Sequence, residues 1–149
     1  MNNKNRVYNL AKRFKRKYSM TIAWNLKKHS KVVESVIDDD EKVLYAFCGQ
    51  KDDSHQVIFD TCVVAITNKR IIVGQKRILW GYQITSITPE LFNDLKIHVN
   101  LLFGKIEIDT VREHLFISNL DKKSLDEIET MFNKIVFKNK KCKKDNSDN

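Results

Sequence analysis

The chain changes its hydrophobic period near residue 42, from a helical repeat to the alternation that is typical of strands. Five apolar residues recur first at helical spacing: Val7, Leu10, Ala11, Phe14 and Tyr18. The stripe loses phase after Ile22, and a second short helical pattern follows in Leu26, Ser30, Val33 and Ile37. We therefore expect a helix, a bend and a second helix over residues 1–37, called the basic arm below.

From Lys42 onward, short runs rich in β-branched and aromatic residues predict strands. The runs are 43–49, 57–66, 71–75, 78–82 and 84–87. Between Ile66 and Ile71, Asn68 can adopt the positive φ of a tight hairpin. Farther on, residues 105–109 alternate cleanly and 114–117 can pair with them. This spacing indicates an antiparallel sheet or barrel.

Two later segments differ in how clearly they predict structure. In 89–100, Leu91, Phe92 and Leu95 fit one helical turn, whereas Ile97 and Val99 alternate as in a strand, so both alternatives stay open. A closing helix of about four turns follows Asp121, a good N-cap, and has the apolar face Leu125, Ile128, Phe132, Ile135 and Val136. Residues 138–149 contain too little apolar surface to offset their ordering entropy and are expected to be disordered.

The net charge of +8 is concentrated at the two ends of the 149-residue chain. Residues 1–36 contain ten Lys/Arg and one acid, 37–137 contain twelve against sixteen, and 138–149 contain five against two. The acidic run 38–41 predicts a domain boundary, because adjacent like charges seldom lie inside a packed element. We therefore divide the chain into the arm 1–37, a body 38–137 and a tail 138–149.

The residues that could do chemistry are scattered. The four glycines occur singly, and the four histidines lack metal-ligand spacing. The three cysteines, Cys48, Cys62 and Cys142, form neither a disulfide framework nor a zinc pair, and we interpret them as reduced thiols, with Cys62 in the core. Trp80 is expected in a strand with one face in the core; the alternative is an exposed aromatic platform. No enzyme, cofactor or metal is indicated.

Three features together carry a resemblance to a known family: the 67–70 hairpin Thr-Asn-Lys-Arg, the approach Leu-Leu-Phe-Gly-Lys-Ile at 101–106, and the single closing helix. The sequence resembles the bacterial pleckstrin-homology-like (PH-like) domains, particularly the YokE-like group, over residues 41–136. The resemblance implies a mainly β fold: a bent antiparallel barrel of about seven strands, closed by a C-terminal helix and without catalytic residues.

Fold alone does not give function, because this scaffold hosts lipid, peptide and self-association sites. Phosphoinositide-binding members place basic residues in the loop after the first strand. Here that loop contains Asp52 and Asp53, whose charges would repel a phosphorylated head group, so the resemblance does not extend to a lipid pocket.

The basic arm is the strongest functional candidate. Seven cations are expected to bind an anionic surface, most plausibly a membrane: Lys4, Arg6, Lys12, Arg13, Lys15, Arg16 and Lys17. Leu10 and Phe14 of the apolar face Val7, Leu10, Phe14 and Tyr18 could then dip below the head groups. Alternatively this face packs on the body or on a neighbouring subunit.

The hypothesis is a binding or adaptor module in the cytoplasm, peripheral to the membrane if the arm binds lipid. A protein partner, a homo-oligomer and non-specific nucleic acid remain open as partners. The arm has few aromatics to stack on bases, so sequence-specific nucleic-acid recognition is not indicated, and no small-molecule substrate is evident.

Overall fold

The computed structural model describes residues 5–52, 60–77 and 79–145. Several residues of the sequence predictions therefore lie outside the described residues: Lys4, Asp53, 57–59 of the second predicted strand, Ile78 and 146–149 of the tail.

Three α-helices form in the described part of the chain. They are α1 (Arg6–Lys17), α2 (Leu26–Glu34) and α3 (Leu125–Asp145), and a short 3-10 turn, Lys122–Ser124, precedes α3. The side chain of Asp121 accepts a hydrogen bond from the Lys123 amide at 3.0 Å and so begins this segment. The helix, bend and helix predicted for the arm are present.

The last helix is longer than expected, because α3 continues to Asp145, past Phe137, where the sequence predicted disorder. Extending a helix that is already formed adds one hydrogen bond for each residue that is ordered, which favours continuation of the helix into 138–145.

Seven strands account for most of the body. They are β1 (Val43–Lys51), β2 (Thr61–Thr67), β3 (Ile71–Lys76), β4 (Tyr82–Ile87), β5 (Phe92–Val99), β6 (Gly104–Thr110) and β7 (His114–Leu120). The open question at 89–100 resolves mainly as strand, with a turn in which the Leu91 amide bonds the Thr88 carbonyl at 3.0 Å.

The strand expected at 78–82 does not form. Leu79 and Trp80 lie in the loop between β3 and β4, and Trp80 is 85% exposed rather than half in the core. Gly81 has a φ of 72°, a conformation that interrupts strand geometry. The exposed alternative for Trp80 is therefore the one that the structure has.

The strands form one antiparallel sheet in the order β4-β3-β2-β1-β7-β6-β5. In the described residues its edge strands, β4 and β5, do not pair with each other, so the predicted barrel is not closed. β1 pairs along its length with β2, but with β7 only through Gln50 and Lys51. Among the described residues, the first seven of β1 have no strand partner on the side away from β2.

Both faces of the β1–β3 region are covered. On one face Phe132 of α3 packs against Phe47 and Phe92, with ring centroids 6.3 and 6.1 Å apart. On the other face α2 packs closely on β3, since a Cβ at Gly74 would lie 2.6 Å from Val33 Cγ2. Every residue of β2 is buried as a result. Of the two N-terminal helices, α2 is thus packed directly on this face of the sheet.

Glu41 connects the acidic run 38–41 to the hairpin motif 67–70. Glu41 is buried, although four adjacent acids were expected to avoid packed positions. Its carboxylate accepts hydrogen bonds from Thr67 Oγ1 at 2.6 Å and from Arg70 Nε at 3.0 Å. Asn68 does not have the predicted positive φ; instead its side-chain oxygen accepts from the Lys42 amide at 2.7 Å.

Candidate interaction surface

The apolar face of α1 is buried against the chain's own β1. Phe14 is 3% exposed, and its ring lies 5.7 Å from that of Phe47 and 6.4 Å from that of Tyr45. Val7 and Tyr18 are also buried, and Leu10 is partly buried. The helix occupies the side of β1 that lacks a strand partner. Phe14 is therefore unavailable to enter a membrane, unlike the sequence expectation.

A hydrogen-bonded cluster around the partly buried Glu127 holds the C-terminal end of α1 against α3. Glu127 Oε2 accepts from Tyr18 Oη and from Lys17 Nζ, each at 2.5 Å, and Oε1 accepts from Tyr45 Oη at 3.1 Å. Burial opposes the charge of Glu127, but these three donors lower the pKa of its carboxyl. Burial and the neighbouring carboxylate raise the pKa of the Tyr45 hydroxyl. Lys17 is thus used to attach α1.

The other predicted cations divide into two groups. Arg6 Nε donates to the Val43 carbonyl at 3.0 Å, and Lys15 Nζ donates to the Ser19 carbonyl at 2.9 Å. Lys12, Arg13 and Arg16 are exposed. The structure adds three exposed lysines from α2, which the site prediction omitted. We call the six exposed cations of the two helices the basic helical face: Lys12, Arg13, Arg16, Lys27, Lys28 and Lys31.

Acidic residues are scarce in this helical layer. Glu34 is the one acid in α1 and α2, and it is partly buried, where it accepts from the Tyr8 amide at 3.2 Å. The positive charge of the six exposed side chains is therefore not balanced within their own helices, and the layer presents a positive field to solvent.

The linker between α1 and α2 crosses the end of the sheet at which β1 finishes. The Ile22 amide donates to the Asn119 carbonyl at 2.9 Å, and the Trp24 amide donates to Thr61 Oγ1 at 3.0 Å. The loops β3–β4 and β5–β6 lie on either side of Trp24. We call this linker and these two loops the loop end.

Two open cavities flank Trp24 at the loop end. One, of about 470 Å³, is bordered by the β5–β6 loop and by Asp52, Asp60 and Lys105. Asp52 there is paired, because Lys105 Nζ lies 3.0 Å from its carboxylate. The charge of Asp52, which counted against an anionic ligand in the sequence, is therefore partly neutralised.

The second cavity, of about 540 Å³, is more basic. Trp24, Lys28, His29, Lys76 and Arg77 line it, together with Asn25 and Thr61, and its described lining contains no acid. His29 Nδ1 accepts from the Lys76 amide at 2.9 Å. Burial, with Lys28 nearby, lowers the pKa of His29, so the imidazole is neutral and the charge of this cavity comes from Lys and Arg.

The exposed apolar side chains concentrate at the same end. Of the large exposed hydrophobics in the described residues, eight lie in the three loop-end segments or on the adjoining strand ends: Met20, Trp24, Leu79, Trp80, Tyr82, Val99, Leu101 and Leu102. The other two, Leu44 and Val111, lie elsewhere. Single exposed hydrophobics are ordinary, whereas contiguous apolar patches are typical of interaction sites, so the loop end is the candidate surface.

Sequence reasoning missed Leu79, Leu101, Leu102 and the cations Lys76 and Arg77. The sequence contains a signal for two of these residues, because Leu101 and Leu102 lie between Asn100 and Gly104 in a turn, where bulky apolar residues are unusual. In the sequence, the same pattern indicates only the family resemblance. Leu79 was hidden because it falls in an apolar run that reads equally well as a buried strand.

Other chemistry is limited in the described residues. No group of three His, Cys, Asp or Glu side chains is placed to hold a metal there. Cys48 and Cys62 lie in strands and are buried, and burial raises the pKa of the Cys48 thiol to about 12, which makes it unreactive. No described helix is both long and apolar enough to cross a membrane.

Comparison with known proteins gives a family match over the whole body. The family model described as bacterial PH domain matches residues 37–141. No curated protein matches the chain. One similar solved structure is a DUF1696 family protein with a pleckstrin-homology domain from Shewanella loihica PV-4, with 15% identity, a TM-score of 0.47, and coverage of 73% of this chain and 95% of that chain. Another is a pleckstrin homology domain from Shewanella amazonensis SB2B, with 13% identity, a TM-score of 0.43, and coverage of 77% and 88%.

Proposed function

The chain belongs to the bacterial PH domain family, and on this premise we propose that it is a non-catalytic binding module that docks on an anionic membrane through the basic helical face. One observation carries the proposal. Packing of α1 and α2 on the sheet buries their apolar sides and leaves Lys12, Arg13, Arg16, Lys27, Lys28 and Lys31 pointing away from the core.

The mode of binding differs from that of a free amphipathic arm. Because Phe14 is buried in the core, α1 contributes charge but no inserted side chain. A Lys or Arg near an anionic leaflet contributes about 1 kcal/mol, so three of them correspond to roughly a hundredfold in affinity. Binding of this kind is reversible and weakens as salt rises.

The assembly alternative has less support. It required the apolar face of α1 to pack on a neighbouring subunit, and that face is buried within its own chain. Non-specific nucleic-acid binding would use the same cations, so it must be separated by experiment.

The test is vesicle flotation with a neutralised triple variant, Lys12→Gln, Arg13→Gln and Arg16→Gln. The vesicles contain phosphatidylglycerol and phosphatidylcholine, or phosphatidylcholine alone. We expect the wild type to float only with the anionic vesicles, and the triple variant to bind them roughly a hundredfold more weakly.

The matched control is Arg112→Gln, Lys134→Gln and Lys138→Gln, three exposed cations of the β6–β7 turn and α3 that lie away from the loop end. It lowers the net charge by the same amount, and we expect it to bind nearly as the wild type does. An equal loss in both variants would contradict docking through this face. Tighter wild-type binding to duplex DNA than to anionic vesicles at equal salt would favour the nucleic-acid function instead.

A further inference from the structure

At the loop end, the turns that carry exposed apolar side chains are closed by local hydrogen bonds. In the β3–β4 loop the Arg77 amide donates to the Gly81 carbonyl at 3.1 Å. In the β5–β6 loop Asn100 Oδ1 accepts from the amides of Leu102 and Phe103 at 3.0 and 2.7 Å. Both turns are therefore closed by local hydrogen bonds that do not involve the side chains of the leucines and the tryptophan that they carry.

The exposure of these side chains is unusually complete. Leu79 is 82% exposed, Trp80 85% and Leu101 87%, and Leu102 follows at 63%. Apolar area on this scale is unfavourable in water and is relieved only when a partner covers it. The four residues, called the loop tips below, lie on two separate loops, so the partner must reach both.

Charge beside the loop tips identifies the kind of partner. Lys76 and Arg77 precede Leu79 in the β3–β4 loop, and with Lys28 they line the cavity beside Trp24. An apolar layer bordered by a negatively charged layer complements this arrangement, and that is the structure of an anionic bilayer. Tryptophan is also enriched where protein meets the head-group region.

The loop end is continuous with the basic helical face. The linker that carries Met20 and Trp24 joins the end of α1 to the start of α2, so Arg16 and Lys27 lie next to the loop end in the chain. A bilayer that covers the loop tips can therefore meet the ends of both basic helices at the same time.

We propose that the module docks end-on, with the loop tips Leu79, Trp80, Leu101 and Leu102 inserted into an anionic bilayer and the cations around Trp24 at its head groups. This inference rests on the proposed function and adds the orientation and the inserted residues.

The chain's two tryptophans, Trp24 and Trp80, make the insertion measurable. In a Trp24→Phe variant Trp80 is the sole tryptophan. On vesicles of phosphatidylglycerol and phosphatidylcholine, we expect its emission to shift to shorter wavelength and to be quenched by brominated acyl chains. The same variant, floated in parallel, reports binding independently.

These two readouts separate the inference from the function on which it rests. A variant that floats with the vesicles while Trp80 emission stays unshifted and unquenched would overturn end-on insertion and leave the proposed function standing. A chain that does not float with anionic vesicles would overturn both.

A second pair of variants tests the leucines. In Leu101→Thr with Leu102→Thr we expect vesicle binding at least about tenfold weaker, since two inserted side chains lose their apolar ends. The matched control is Leu44→Thr with Val111→Thr, the exposed hydrophobics away from the loop end, for which we expect wild-type binding. Equal losses of vesicle affinity in the two pairs would overturn the inference. A stable wild-type dimer that dissociates in the Leu101→Thr with Leu102→Thr variant would also overturn it.

Discussion

Glu41 and Arg70 give the 67–70 hairpin a structural role. Arg70 donates to both carboxylate oxygens of Glu41 at 3.0 Å, to the Val36 carbonyl at 2.6 Å and to Ser86 Oγ at 3.1 Å. One guanidinium therefore connects the segment after α2, the β2–β3 turn and β4. Bidentate charge-assisted pairs are strong and directional, so this contact fixes the position of Arg70 relative to Glu41.

Replacing Arg70 should be severely destabilising. In Arg70→Met the Glu41 carboxylate stays buried without its cation, so we expect a loss of about 3–5 kcal/mol in the free energy of unfolding. Urea denaturation measures it. The control is Lys69→Met, which breaks only the exposed pairs with Asp40 and Asp38, and we expect little change from it. A similar, small effect of both substitutions would show that the buried pair is unimportant.

The same carboxylate should make stability depend on pH. Burial opposes ionisation of Glu41, but hydrogen bonds from Arg70 and Thr67 lower its pKa below the usual range. The folded state thus favours the ionised form, so the contribution is present above the unfolded-state pKa and is lost as pH falls through the folded-state pKa. We expect the stability advantage of the wild type over Glu41→Gln to shrink as pH falls from 6 to 3 in denaturation experiments. An advantage that does not vary with pH would contradict this account.

Trp80 and Glu41 show where residue-level prediction failed. The apolar run around Trp80 is compatible with a buried strand, and the run itself does not show that Gly81 turns the chain into solvent. Glu41 looked exposed because its neighbours are acids, whereas its partner Arg70 is distant in sequence. In both cases the deciding contact or backbone conformation is not encoded in the local pattern.

At the scale of elements, the close approach of α2 to β3 depends on Gly74. A Cβ added there would lie 2.6 Å from Val33 Cγ2 and 3.5 Å from Val32 Cγ1. This glycine leaves room for the helix and is not needed for a turn.

Gly74→Ala should therefore destabilise the fold by about 1–3 kcal/mol through overpacking. Adding Val33→Ala removes the clashing methyl groups. We therefore expect the double variant Gly74→Ala with Val33→Ala to lose less free energy of unfolding than the two single variants lose together. Thermal or urea unfolding of the four proteins in this cycle gives the coupling. Strict additivity would mean that α2 does not rest on Gly74.

The amphipathic helices and most strands were predictable because hydrophobic period reports which side of an element is buried. What α1 packs against was not predictable. The stripe from Val7 to Tyr18 indicates an apolar face, but only the short β1–β7 pairing shows that β1 has a free side to receive it.

At the scale of the whole molecule, charge and apolar exposure are both segregated. α2 covers one face of the sheet, α1 lies along the free side of β1, both helices carry exposed cations, and the loop end gathers eight exposed hydrophobics. The sequence revealed the first asymmetry, since charge can be counted along the chain. It did not reveal the second, because the linker, the β3–β4 loop and the β5–β6 loop meet only in the folded protein.

Amide hydrogen exchange of the full chain, with and without anionic vesicles, tests the central claim most directly because it reports every segment at once. We predict that vesicles slow exchange in the linker 18–25, in the β3–β4 and β5–β6 loops and at the start of α2, and that the β6–β7 turn around Val111 is unchanged. Unchanged exchange throughout, or slowing confined to segments away from the loop end, would contradict the account.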